Sequence, residues 1–74
     1  MSWVHINRFY KTKNTEQEAK DAVDKVATHW RNVALDLGYD PDTNVQVQEG
    51  DKLYLVSISE ELDATMRQEP GDWW

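Results

Sequence analysis

The chain contains no cysteine, which excludes a disulfide staple and a thiolate metal site. A reducing compartment fits that absence. Glycine and proline are scarce, three and two residues. Gly38, Gly50 and Gly71 each fall at a turn, so neither a P-loop nor a dinucleotide fingerprint can be assembled from them. The apolar runs stop after a few residues, far short of the ~20 that span a bilayer. The opening Met-Ser-Trp-Val-His-Ile-Asn-Arg-Phe-Tyr lacks the basic start, apolar middle and small-residue cleavage site of a secretory signal. The expectation is a soluble cytoplasmic protein with no membrane contact, in the host cytoplasm if its origin is viral.

What is present fits one domain, residues 1–74, near the lower size limit for folding without a metal, disulfide or partner. Four tryptophans, Trp3, Trp30, Trp73 and Trp74, ease that limit, because each large aromatic buries ~150–250 Å². The net charge of −6 is uneven. Six bases and four acids up to Leu35 give +2, while two bases and ten acids from Asp36 onward give −8. An acidic surface repels phosphate backbones, and it suits solubility or a partner with a basic surface.

The pattern predicts a β-α-β-β-α order. Trp3 to Tyr10 is rich in β-branched and aromatic residues and reads as a strand. Strict alternation puts Val4, Ile6, Arg8 and Tyr10 on one face and Trp3, His5, Asn7 and Phe9 on the other, neither cleanly polar. A long helix follows, opened at Thr15 and closed at Gly38. Thr15 and Glu18 have capping-box spacing. Ala19, Ala22, Val23, Val26, Ala27, Trp30, Val33, Ala34 and Leu37 form one apolar stripe centred on Trp30. Lys20–Asp24 and Asp21–Lys25 have i,i+4 spacing on the other surface.

Tyr39 to Thr43 reads as a turn-rich loop and Asn44 to Gln48 as an alternating strand. Glu49-Gly50-Asp51 is a hairpin turn in which Gly50 can take a positive φ. Lys52 to Ser59, richest in apolar residues, is the expected central strand. Ser59 can cap a short helix running from Glu60 to about Gln68, with Leu62 and Met66 on one face. The expected fold is a small α+β domain: a three-stranded, mainly antiparallel sheet with the long helix across one face. The other face would be covered by the second helix and terminal tryptophans, or by a partner subunit.

Candidate sites are few. Asp40-x-Asp42-x-Asn44 with Asp51 resembles part of a calcium loop. Val45 stands where such loops need glycine, however, and Asp51 where they need a bidentate glutamate. An Asx-Pro turn is the simpler reading, and no metal or cofactor is expected. His5 and His29 lack zinc spacing. Ser57 and Ser59 lack a nucleophile-elbow setting, and Glu60, Glu61 and Asp63 at a helix start are ordinary dipole partners. So small a chain also has little volume for a ligand pocket, and enzymatic activity is not expected.

Arg8-Phe9-Tyr10-Lys11-x-Lys13 could stack bases and hold phosphates, making weak nucleic-acid binding an alternative that the overall acidity opposes. The acidic second half carries the main expectation. Asp40, Asp42, Glu49, Asp51, Glu60, Glu61 and Asp63, together with Trp73 and Trp74, are the candidate partner-binding residues. Carboxylates on a rigid small domain imitate a row of phosphates and occupy a basic groove. Small acidic inhibitors from phages and mobile elements act this way as a class. The chain is therefore expected to be a non-catalytic protein-binding module, inhibiting or regulating a basic partner such as a nuclease, a polymerase or another basic protein. The alternative is a self-associating structural or accessory subunit, a homodimer using the open sheet face and Trp73-Trp74.

Overall fold

The computed structural model describes residues 2–11, 16–69, 71 and 73. In chain order the elements are β1 (Trp3–Tyr10), α1 (Glu16–Asp36), α2 (Pro41–Asn44), β2 (Val45–Glu49), β3 (Leu53–Ser59) and α3 (Glu60–Gln68). The three strands form one antiparallel sheet in the order β1-β3-β2. This is the α+β arrangement expected, with β3 in the centre. It gains a single helical turn, α2, where a loop was expected, and β2 starts at Val45 rather than Asn44.

The 21-residue α1 is held by its apolar stripe. Ala19, Val23, Ala27, Trp30, Val33 and Ala34 are buried, while Leu35 off the stripe is 59% exposed. Burying Trp30 alone is worth about 4–6 kcal/mol of gross transfer free energy before ordering entropy is subtracted. Thr15, and with it the capping-box pairing, lies outside the described residues. The C-terminal stop is as expected: Gly38 takes φ +84. The amide of Gly38 donates to Leu35 O at 3.1 Å and that of Tyr39 to Ala34 O at 2.8 Å. These two bonds satisfy carbonyls the helix would otherwise leave bare. Among the described residues the ion pairs within 4 Å are Lys11–Glu49 and Asp63–Arg67. The spaced Lys20–Asp24 and Asp21–Lys25 pairs are therefore not closed, and Asp21 accepts from Gln17 Nε2 at 3.0 Å instead. Exposed pairs of this kind gain little because water screens them.

The β2–β3 turn closes with Gly50 N donating to Leu53 O at 2.8 Å. Gly50 does not take a positive φ, since Gly38 alone among the described residues does.

A register shift between His5 and Asn7 changes the reading of β1. Val4 pairs with Ile58, His5 with Ser57, and Asn7 with Val56, so Ile6 is the extra residue of a bulge. Alternation resumes one residue out of step. Asn7 and Phe9 join Val4 on the helix side, whereas Arg8 and Tyr10 move to the side of Trp3 and His5. The core bears this out. Val4, Ile6 and Phe9 pack against the cluster of Trp30, Val33, Val45, Tyr54, Val56, Ile58, Leu62 and Met66, and the Trp30 indole donates to Asn7 Oδ1 at 3.1 Å.

Both long helices serve this one cluster: Leu62 and Met66 of α3 lie in it, and Trp73 packs against it. The opposite sheet face presents Trp3, His5, Arg8 and Tyr10 from β1, Gln46 and Gln48 from β2, and Leu53, Leu55 and Ser57 from β3. None of its large apolar side chains belongs to the core cluster. The second helix does not cover that face.

Candidate functional site

The expected acidic residues separate into two groups. Asp40 caps α2, its Oδ1 accepting from Asp42 N at 2.9 Å with Pro41 at the first helical position. This is the Asx-Pro turn expected, continued into one turn of helix. Asn44 closes that turn and is buried: its Nδ2 donates to Asp40 O at 2.8 Å and to Thr43 Oγ1 at 3.2 Å. Its Oδ1 accepts from Ser59 Oγ at 2.6 Å, while the same Oγ caps α3 by accepting from Leu62 N at 3.2 Å.

Tyr39 ties the same elements a second time. Its hydroxyl lies 2.5 Å from Thr65 Oγ1 and 3.5 Å from Glu61 O. The turn that carries Asp40 and Asp42 is thus tied to the start of α3, where Glu60, Glu61 and Asp63 occupy the first turn. All of these carboxylates are exposed except Asp63, whose Oδ2 accepts from Arg67 Nε at 3.0 Å. Glu60 and Glu61 also line a shallow surface depression of about 460 Å³ with Ser2 and Ala64.

Glu49 and Asp51 lie at the other end of β3, roughly 20 Å away at ~3.3 Å per strand residue. Glu49 faces the helix side, paired in register with Tyr54 and bridged to Lys11 Nζ at 3.6 Å. Lys11 Nζ also sits 4.6 Å from the centroid of the Tyr54 ring. The Tyr54 hydroxyl is pushed above its ordinary value, first by its hydrogen bond to Glu49, then by burial and by the charges of Glu49, Glu16 and Asp24. These contacts employ Glu49 in closing the end of the sheet.

Trp73 is half-buried against the core, and its carbonyl accepts from His29 Nε2 at 2.8 Å. A Cβ on Gly71 would stand 2.6 Å from the Trp73 ring, so the indole takes the space that a side chain there would need. Of the two readings of the terminal tryptophans, Trp73 follows the folded-back one; Trp74 lies outside the described residues.

The sequence motif Asp40-x-Asp42-x-Asn44 does not converge on one point. Asn44 Oδ1 is committed to Ser59, Asp40 Oδ1 to a backbone amide, and Asp51 lies beyond β2. Among the described residues no group of three metal-ligating side chains gathers. His5 Nδ1 and Ser57 Oγ do meet, at 2.8 Å on the uncovered sheet face. The strands place no carboxylate on that face, so none of their residues can orient the imidazole in the manner of a triad.

Besides the α2 turn, two features escaped sequence reasoning. One is the Asn44–Ser59 bond, which joins residues fifteen apart and has no periodic signature. The other is the bulge at Ile6, whose trace was the mixed character of both predicted faces of β1. No helix among the described residues is long and apolar enough to cross a membrane. Comparison with protein-family models, with curated proteins and with solved structures finds no match to this chain.

Proposed function

We propose that this chain is a small non-catalytic protein-binding module whose acidic end, carrying Asp40, Asp42, Glu60 and Glu61, docks on a basic surface of a regulated partner. One observation carries the reading: two acidic segments far apart in sequence are joined by the buried Asn44–Ser59 bond. Carboxylates fixed on helix starts keep their geometry when a partner arrives, so little ordering entropy is lost on binding. A row of fixed negative charge also speeds encounter with a basic groove and selects against acidic partners. Glu49, employed within the fold, is left out of this surface, as is the distant Asp51.

The test compares two variants of equal charge change. D40N/D42N/E60Q/E61Q removes the acidic end, while E16Q/E18Q/D21N/D24N removes the same number of carboxylates from exposed positions on α1. In affinity capture from the native host at low salt, the first variant is expected to lose partners that the wild type retains, and the second to keep them. Equal loss in both would reduce the effect to net charge and overturn the reading. Retention by both would overturn it as well.

A further inference from the structure

We propose that the uncovered sheet face is a homodimer interface, on which two copies of the chain pack face to face about a two-fold axis running along β3. This rests on the sheet register and stands independently of the role given to the acidic end.

Composition marks the face first. The chain has 14 acidic and eight basic residues, yet the strands place on this side no Asp, Glu or Lys. The one acid in any strand, Glu49, pairs with Tyr54 on the helix side. Along the central strand Leu53 and Leu55 are only partly buried, Ser57 between its neighbours is buried, and Tyr10 at the margin is 65% exposed. An aliphatic centre with aromatic, arginine and amide groups around it, stripped of carboxylates and lysine, is the composition of a protein–protein interface.

Charge leaves this face open to a second copy. A chain of net charge −6 repels its own copy. Approach through this face sets no strand carboxylate against another.

The register supplies the complementarity. Arg8, Leu55 and Gln48 form one row across the sheet, and His5, Ser57 and Gln46 the next on the same side. Rotation by half a turn about an axis along β3 lays β1 of one copy over β2 of the other. Arg8 then meets Gln48 of the second copy, and His5 meets its Gln46, while Leu55 packs on Leu55. The guanidinium donates and the amide oxygen accepts, so each contact occurs twice, as an isologous interface requires. Packed sheets cross at ~30°, so alignment is best near the axis, in the Leu55 row. Three strands of about seven residues give a face of roughly 14 × 24 Å. That is on the order of 700 Å² over the two copies, below the ~1,200–2,000 Å² of stable specific interfaces, and predicts a weak, reversible dimer.

Sedimentation of the full chain from about 10 µM to about 1 mM tests this, a range suited to a weak complex. A concentration-dependent monomer–dimer equilibrium is expected. Gln48→Arg sets arginine against arginine across the axis and is expected to weaken the dimer at least tenfold. The double variant R8E/Q48R restores opposite charges at the same contacts and is expected to recover association. Arg8 and Gln48 are both exposed, and a melting curve for each variant checks that the fold is intact. A monomer at every concentration would overturn the proposal. So would a dimer indifferent to Q48R, or a double variant no better than Q48R alone. A monomer that instead binds oligothymidylate, with loss on Trp3→Ala, would overturn it in favour of base stacking on the same face.

Discussion

Ser59 Oγ donates to Asn44 Oδ1 at 2.6 Å and at the same time accepts from Leu62 N at 3.2 Å. One hydroxyl therefore both caps α3 and locks α2 to the end of β3. Asn44→Ala leaves the buried Ser59 hydroxyl without this acceptor and removes the donor to Asp40 O, and it is expected to cost about 2–3 kcal/mol. Ser59→Ala loses the cap as well, about 1–3 kcal/mol in all. The double variant should cost less than the sum of the two, since both remove the same bond. Urea unfolding of the four chains measures the coupling; strict additivity would show that the bond contributes nothing.

Trp30 and Leu35 are both apolar residues of α1, but Trp30 is 4% exposed and Leu35 59%. Trp30→Ala is expected to cost about 3–5 kcal/mol, enough to unfold much of so small a domain. Leu35→Ala should stay within about 0.5 kcal/mol of wild type. Thermal melts followed by circular dichroism separate the two.

Gly71 lies under the Trp73 ring, where an added Cβ would approach to 2.6 Å. Gly71→Ala is therefore expected to lift the indole from its seat against the core, costing about 1–3 kcal/mol. The readout is a red shift of tryptophan fluorescence together with a lower melting temperature. An unchanged spectrum and melt would show that the ring is not seated as described.

The Tyr54 hydroxyl stands above its ordinary value of 10.0, chiefly through the hydrogen bond to Glu49. Its folded value exceeds its unfolded one, so its contribution to stability is complete below pH ~10 and is lost as pH rises through the raised value. Denaturation midpoints measured from neutral to strongly alkaline pH should fall in that window. Tyr54→Phe should flatten this component of the fall, and Glu49→Gln should move it to lower pH. Identical alkaline profiles for wild type and Tyr54→Phe would refute the assignment.

Much of the architecture was legible in short-range pattern. The stripe centred on Trp30, the stop at Gly38 and the cap at Ser59 each depend on residues within a turn or two of one another. Helices at 3.6 residues per turn and caps at fixed offsets leave such marks. The central place of β3 could be read from its apolar content. The surface was less accessible. Asp40, Asp42, Glu60 and Glu61 were visible as acids, but the segments that carry them are joined by a bond between Asn44 and Ser59 that no local rule announces. Glu49 and Asp51, equal to them in sequence terms, fall at the opposite end of the sheet.

By itself, then, the sequence determined the two longer helices, the strands, their order and which stripe of α1 is buried, because periodicity and capping act over a few residues. Tertiary structure decided which acidic groups stand together and which face each residue of β1 adopts. A single extra residue at Ile6 reverses every side chain after it, and only pairing with β3 can set that register. The same pairing leaves a sheet face without carboxylates on a chain that is acidic overall, a segregation that net charge cannot reveal.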